Sequence, residues 1–234
     1  MAADRRARIV ARLVAEGGSP SAPGPLCKVA AEVIDVSGAG VMVLHDGVPQ
    51  ASLCSSGPTS ALIEELQYTL GEGPCVDAYR TGSVILEPHL TAPAMLRWPA
   101  FTPEALAAGA MAVFGFPVRI GAVRIGALNV FQDRPGPLRD EQHADALVMA
   151  DVIARTILAV QARAEPGETA LELNADIHSV VHQAAGMVSV QLDMSVGDAL
   201  VRLRAYAFGM DQSITEAARD VVSRKLDFAT LDGR

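Results

Sequence analysis

The chain has 234 residues, half of them apolar, which is enough for one large or two ordinary domains. Its formal net charge is −8, so it lacks the basic balance that usually accompanies binding to nucleic acid phosphates. Charged residues interleaved with the apolar residues of 9–14 predict neither a secretory leader nor a transmembrane span at the start of the chain. Three cysteines without a CxxC spacing (Cys27, Cys54 and Cys75) fit small buried thiols in a reducing compartment, and we therefore predict a cytoplasmic location.

The first half of the chain predicts helices around a β-hairpin. Residues 4–16 form a predicted amphipathic helix, and the Gly, Pro and Ser residues of 17–25 break it. The turn signal Asp46–Gly47 predicts a hairpin because strand-like residues flank it on both sides. The predicted elements are a helix at 26–36, strands at 41–44 and 50–54, a helix at 61–70, a short helical turn at 75–80 and a strand at 84–86.

The next stretch predicts a second hairpin and a long exit helix. Thr102 followed by Pro103 is a typical helix start and predicts a helix over 102–108. Strands are predicted at 111–120 and 124–132, and a long helix at 140–164. Because the strands come mostly in hairpins and do not alternate with crossover helices, the fold class is α+β with an antiparallel sheet.

The long exit helix carries apolar residues at alternating spacings of four and three, which favours helix pairing. These residues are Ala146, Ala150, Ile153, Ile157 and Val160, with Leu147, Ala154 and Leu158 beside them. We predict that this helix packs on its own sheet and holds a parallel homodimer. Pro166–Gly167 then allows a bend.

Residues 169–228 predict three helices, each starting with a capping-box pattern, [ST]-x-x-[DE]. The three boxes are Thr169–Glu172, Ser195–Asp198 and Ser213–Glu216. The first helix has a short coiled-coil seam formed by Leu173, Ile177, Val180, Ala184 and Met187. A three-helix unit of this size has little core and is typically supported by a neighbour or a second copy.

Three stretches in this region resemble the ANTAR family over residues 171–228. They are Gln183-Ala-Ala-Gly-Met187, Ala199-Leu-Val-Arg-Leu-Arg-Ala-Tyr-Ala207 and Ile214-Thr-Glu-Ala-Ala218. The resemblance implies an RNA-binding antiterminator that recognises paired RNA hairpins with six-base loops, and it implies no DNA binding. The implied RNA-contacting positions are Gln183, Ala184, Gly186, Met187, Arg202, Arg204, Tyr206 and Ala207.

The charge of this region bears on how it would bind RNA. Residues 171–234 contain nine acids and six bases. Ala185 stands where the family often has a basic residue. RNA binding is therefore expected through base and loop contacts rather than through a basic patch.

The order of elements over residues 26–163 resembles a GAF domain. The residues that carry this likeness are Leu70-Gly-Glu-Gly-Pro-Cys-Val-Asp-Ala78, Trp98-Pro-Ala-Phe101, Gly115-Phe-Pro-Val118 and Ile125-Gly-Ala-Leu-Asn-Val-Phe131. The combination is similar to actinobacterial GAF–ANTAR regulators and implies a sensor for an unknown small ligand. Cys75, Trp98 and Phe101 are the candidate pocket residues.

The resulting domain organisation is a helix and flexible segment at 1–25, a GAF-like sensor at 26–165, a linker at 166–170, an ANTAR-like module at 171–228 and a tail at 229–234. No catalytic motif is present, and Glu64 and Glu65 are adjacent on one helix and cannot face each other as an acid–base pair. His178 and His182 have metal-compatible spacing but no third ligand, so we predict no metal and no cofactor.

Two alternative functions stay open. The C-terminal helices could form a protein-interaction adaptor that ignores RNA, which suits the acidic balance. The chain could also be a small-molecule-binding protein that its C-terminal helices only dimerise.

Overall fold

The computed structural model describes residues 2–17, 25–45, 48–90, 92–162, 179–210 and 212–232. The chain divides into two compact units, Met1–Tyr68 with Glu72–Leu173, and Thr69–Gly71 with Asn174–Arg234. No helix in the described residues is both long and apolar enough to span a membrane.

The N-terminal unit is built from seven described helices and five strands. The helices are α1 (Ala2–Ala15), α2 (Leu26–Ile34), α3 (Pro58–Leu70), α4 (Pro74–Thr81), α5 (Ala92–Arg97), α6 (Phe101–Ala107) and α7 (Asp140–Gln161). The strands are β1 (Gly38–His45), β2 (Val48–Ser55), β3 (Ile85–Glu87), β4 (Ala112–Ile120) and β5 (Val123–Gln132).

The strands form one antiparallel sheet with the order β2-β1-β5-β4-β3. Both predicted hairpins are present, since β1 pairs with β2 and β4 pairs with β5. The α+β prediction with an antiparallel sheet is therefore confirmed. The predicted turn residues Asp46–Gly47 lie outside the described residues.

The apolar core lies where α1, α2 and α7 pack together with the sheet. Ile9 and Leu13 of α1 are 0% and 3% exposed and belong to this core. Asp145 of α7 accepts hydrogen bonds from Arg5 Nη1 and Arg8 Nη2, each at 2.7 Å. The N-terminal helix is therefore held by apolar burial and by an ion-pair cluster that satisfies a nearly buried carboxylate.

Helix α7 buries most of its predicted pairing stripe inside its own unit. Ala146, Ala150, Ile153 and Ile157 are at most 5% exposed. Leu147 and Leu158, beside that stripe, are 45% and 43% exposed. Residues 163–178 lie outside the described part, and with them the Pro166–Gly167 bend and the Thr169–Glu172 capping box.

The expectation of three free thiols is wrong. Cys27 of α2 and Cys54 of β2 form a disulfide, while Cys75 is a buried free cysteine. Packing of α2 beside the outer strand of the sheet brings the two Cα atoms to 5.7 Å, although 27 residues separate them in sequence. Cysteine spacing alone does not show this proximity, and the argument from thiols for a reducing compartment loses its basis.

The helix predicted at 102–108 is present as α6, but the predicted cap at Thr102 is wrong. A helix that the sequence analysis did not predict, α5, precedes it, and α6 begins at Phe101 after Ala100, with no side-chain cap from Ala100. Instead, the N–H groups of Ala100 and Phe101 donate to Glu72 Oε1, at 2.6 and 2.8 Å. The carboxylate of Glu72, which is distant in sequence, therefore replaces a local N-cap side chain.

The C-terminal unit contains α8 (Ser179–Leu192), α9 (Val196–Gly209), α10 (Ile214–Val222) and the unpredicted α11 (Phe228–Asp232). Ser195 and Ser213 cap α9 and α10 by accepting from the N–H groups of Asp198 and Glu216. The capping box at Ser213–Glu216 is therefore confirmed in full, whereas at Ser195 only the serine cap is present and the Asp198 carboxylate accepts from the Ser195 hydroxyl. Helices α8, α9 and α10 each contact the other two.

The buried face of α8 is displaced from the predicted seam. Val181, Ala184, Ala185 and Val188 are fully buried, whereas Val180 and Met187 are half-buried. Leu173 and Ile177 lie outside the described residues. The buried residues keep helical spacing and face the other helices of the unit, so this part of the seam is bundle core.

Candidate functional site

The most unusual chemistry in the N-terminal unit lies on the buried face of α3. This face contains Ser60, Ile63, Glu64, Gln67 and Tyr68. A helix that packs on a sheet normally presents an apolar stripe, so a buried acid and a buried amide at helical spacing are exceptional.

The sheet beneath α3 is shaped to receive polar groups. Asn129 of β5 pairs in register with Gly40 of β1 on one side and Gly115 of β4 on the other. A Cβ atom at Gly40 would lie 2.6 Å from Glu64 Cγ and 2.7 Å from Oε1, so the carboxylate rests directly on the strand. The carbonyl oxygen of Pro74 in α4 occupies the corresponding space over Gly115. Two glycines thus let two helices approach the sheet on either side of Asn129.

The polar groups at this place are buried and largely unsatisfied. Glu64 and Asn129 are each 1% exposed, and neither carboxylate oxygen nor either amide atom makes a hydrogen bond of normal geometry. Gln67 accepts from the backbone N–H of Cys75 at 2.8 Å, while its Nε2 makes no hydrogen bond. Unpaired buried donors and acceptors are costly, so their concentration in one place indicates a site.

Electrostatics distinguish this cluster from an ordinary core. Burial raises the pKa of the Glu64 carboxyl to about 8, and the nearby Asn129 amide lowers it only in part. Burial also raises the pKa of the Cys75 thiol well above its ordinary value, and the charge of Glu64 raises it further. The thiolate of Cys75 is therefore disfavoured, which argues against a reactive redox cysteine.

The other two candidate pocket residues, Trp98 and Phe101, pack in the core, and Trp98 also contacts α4. Trp98 and Phe101 are at most 1% exposed, and their rings meet edge to face with centroids 5.9 Å apart. The indole Nε1 of Trp98 donates to Asp77 Oδ2 at 3.0 Å, and Arg97 donates to the same oxygen at 2.8 Å. Nothing in these contacts joins Trp98 or Phe101 to Glu64, Gln67 and Asn129.

The residues implied for RNA contact divide into exposed and buried groups. Gln183 of α8 and Arg202 of α9 are exposed, whereas Ala184 and Ala207 are buried in the bundle. The remaining four, Gly186, Met187, Arg204 and Tyr206, are half-buried. The Tyr206 ring also packs edge to face on Phe228, with centroids 5.4 Å apart. Ala184 and Ala207 can therefore act only by shaping the bundle.

Sequence reasoning missed four residues of functional interest. Glu64, Gln67 and Asn129 form the buried polar cluster, and Phe208 of α9 is 64% exposed at the surface of the C-terminal unit. The signal for the first two was available, because Glu64 and Gln67 share the helical face of Ile63 and Tyr68. Asn129 gave no such signal, since only the sheet register brings it beneath α3.

The described residues contain no group of three or more His, Cys, Asp or Glu side chains that could hold a metal ion. His182 lies on α8, and His178 lies outside the described residues.

Comparison with known proteins concerns the N-terminal unit. The GAF domain family model matches residues 26–157. No curated protein matches the chain significantly.

Solved structures resemble part of this chain at low sequence identity. One is the GAF domain of phosphoenolpyruvate-protein phosphotransferase from Acinetobacter, with 14% identity, covering 69% of this chain and 95% of that one, and a TM-score of 0.48. Another is a domain of a protein assigned as a two-component sensor histidine kinase from Sinorhizobium meliloti 1021, with 18% identity, 58% and 88% coverage and a TM-score of 0.47. A third is the GAF domain of the cyanobacteriochrome TePixJ, with 15% identity, 58% and 87% coverage and a TM-score of 0.43.

Proposed function

Because the chain belongs to the GAF-domain family, we propose that it is a cytoplasmic regulator whose sensor domain controls an RNA-binding, ANTAR-like unit formed by α8, α9 and α10. The RNA target is a pair of hairpins with six-base loops, and binding promotes transcription antitermination. The proposal assigns no catalytic step to the chain and no role in binding DNA.

The observation that carries the proposal is the order of the motifs on the C-terminal helices. The Gln183–Met187 motif lies on α8, the Ala199–Ala207 motif lies on α9, and Ile214–Ala218 starts α10. The small residues Ala184 and Ala207 are buried, while Gln183 and Arg202 are exposed. A packed bundle that leaves an amide and a guanidinium at its surface has suitable groups for reading RNA bases and phosphates.

An exposed aromatic side chain adds a further suitable contact. Phe208 is 64% exposed on α9, where most phenylalanines would be buried. Bases of a hairpin loop are unstacked and pack well on aromatic rings. Stacking of this kind does not require a basic surface, which agrees with the acidic balance of the region.

A protein-interaction adaptor is the second candidate. Val190, Val196, Val201 and Met210 are each more than half exposed, as is Phe208. Exposed apolar side chains suit docking on another protein at least as well as they suit RNA.

Equilibrium binding to RNA decides between the two candidates. Full-length protein is titrated into a labelled RNA that carries two adjacent hairpins with six-base loops, and fluorescence anisotropy is followed. Arg202→Ala is expected to weaken binding by about 1–3 kcal/mol if the guanidinium reads a base. Arg134→Ala removes the same charge from an exposed loop of the sensor unit and serves as the matched control.

The controls make the outcome specific. Loop-scrambled RNA and duplex DNA are expected to bind much more weakly than the intact hairpins. Equal binding of intact and scrambled loops, or no binding at moderate salt, would reject the RNA proposal and favour the adaptor.

A further inference from the structure

The buried polar groups beneath α3 that lack hydrogen-bond partners indicate which donors and acceptors a ligand would have to supply. Glu64 offers its two carboxyl oxygens, and Asn129, whose amide also lies near that carboxyl, offers one acceptor and one NH₂ group. Gln67 offers the NH₂ group that remains after its oxygen accepts from Cys75. None of the described residues provides Glu64 with a cationic partner.

We propose that these three side chains, named here the Glu64 cluster (Glu64, Gln67 and Asn129), bind a small ligand through a cationic nitrogen group. The N–H groups of the ligand donate to the Glu64 carboxylate and to Asn129 Oδ1, and the amide NH₂ groups donate to an acceptor on the same ligand. This inference rests on the sensor half of the proposed function and is independent of RNA binding.

Charge is the first argument for a cation. A buried carboxylate without a partner is strongly destabilised, whereas a paired and hydrogen-bonded carboxylate is tolerated. The groups that face Glu64 from the neighbouring elements are Gly40 on β1, Asn129 on β5 and the Cys75 thiol on α4. None of the three carries a positive charge at any pH, so the free protein keeps Glu64 mostly protonated at neutral pH, and a cation that holds its carboxylate form has to come from the ligand.

Geometry is the second argument. The two glycines flanking Asn129 bring α3 and α4 close to the sheet, and the carboxylate lies against Gly40. Apolar side chains would fill this place more cheaply than an acid and two amides. The polar groups are therefore best explained by recognition of a polar ligand.

Binding of a cation is expected to be linked to proton release. The pKa of Glu64 is raised to about 8 in the free protein, so at neutral pH most molecules carry a protonated carboxyl. A cationic ligand selects the carboxylate form, and only the deprotonated fraction is competent to bind. The apparent affinity should thus rise about tenfold per pH unit up to pH ~8 and then level off.

The test uses calorimetry on the full chain with two probes, methylguanidinium and methylammonium. Methylguanidinium presents a planar pair of donors and methylammonium a point charge, so the tighter probe identifies the type of nitrogen group. Titrations at several pH values between about 6 and 9 follow the proton linkage. One binding site with affinity that rises with pH is the expected result.

Two variants assign the binding to the cluster. Glu64→Gln keeps the size of the side chain but removes the charge, and should weaken probe binding by about 30-fold or more. Glu65→Gln, one position along the same helix, removes a charge that is not part of the cluster and should leave affinity within about twofold. If Glu64→Gln does not fold, NMR titration of the Glu64 carboxyl carbon in the unmodified chain replaces it, and the probe should lower that pKa.

Three results would overturn the inference. They are absence of binding by both probes at millimolar concentration, binding that Glu64→Gln leaves unchanged, and affinity that does not vary with pH. Each result is obtained without RNA, so it is separate from failure of the antitermination proposal.

Discussion

At the residue scale, Glu64 links the stability of the sensor domain to pH. Its carboxyl is fully buried, and burial raises its pKa to about 8. In the unfolded chain the same group has an ordinary carboxyl pKa of about 4.3. Between those two values the native state holds a proton that the unfolded state has lost, so native stability falls as pH rises.

The variant Glu64→Gln should remove this dependence. Relative to the variant, the unmodified chain should lose about 1.4 kcal/mol of unfolding free energy per pH unit between pH ~5 and pH ~8. Urea unfolding at three pH values measures the difference. Glu65→Gln is the control, and parallel pH profiles for the unmodified chain and Glu64→Gln would show that the carboxyl is not buried unpaired in solution.

At the element scale, α1 is a working part of the sensor core although it precedes the region matched by the family model, residues 26–157. Ile9 and Leu13 enter the same core as α2 and α7, and Arg5 and Arg8 satisfy Asp145. Val14, one residue after Leu13, is 54% exposed. The helix therefore has one buried face and one exposed face.

Shortening a side chain on the buried face of α1 should affect stability much more than shortening one on its exposed face. Ile9→Ala removes a fully buried side chain and should cost about 2–5 kcal/mol of stability. Val14→Ala removes an exposed one and should change stability by less than about 0.5 kcal/mol. Thermal and urea unfolding of both variants measure this contrast, and an equally small effect of both would mean that α1 is not docked.

The elements also show how far sequence reasoning reaches. Periodicity and turn residues predicted α2, α7, α9, α10 and both hairpins because these signals are local. The cap predicted at Thr102 is wrong because a capping residue can be recognised only from the sequence next to it. The group that accepts from the first N–H groups of α6 is Glu72, about 30 residues earlier in the chain. Contacts across the fold carry no local signal.

The candidate functional residues also divide into those with a local sequence signal and those that only the fold brings together. Exposed Gln183 and Arg202 were named from the motif that contains them. The proximity of Glu64 to Asn129 and the Cys27–Cys54 disulfide depend on sheet register and on helix packing. Such pairs become visible only when the fold is known.

At the scale of the whole molecule, we propose a homodimer held by the outer face of α7. Leu147 and Leu158 lie about three turns apart on this helix and are 45% and 43% exposed. Their spacing suits packing against the same helix of a second copy, and a sensor dimer would present two RNA-binding units to two adjacent hairpins.

Light scattering tests the dimer directly. The unmodified chain of 24.5 kDa should scatter as a dimer at micromolar concentration. Leu158→Glu should shift it toward monomer, because a charge would be buried in the interface. Leu96→Glu, at a residue that is 90% exposed on α5, should leave the dimer intact. A monomeric unmodified chain would reject this arrangement.

The central claim is that the chain acts on transcription through RNA, and terminator read-through tests it most directly. A template carrying two adjacent hairpins with six-base loops ahead of a terminator is transcribed once with increasing amounts of the full-length protein. We predict that read-through rises with protein concentration, and that loop substitutions in the RNA or Arg202→Ala in the protein reduce the effect. Read-through that stays constant with protein, or rises equally with substituted loops, would contradict the account.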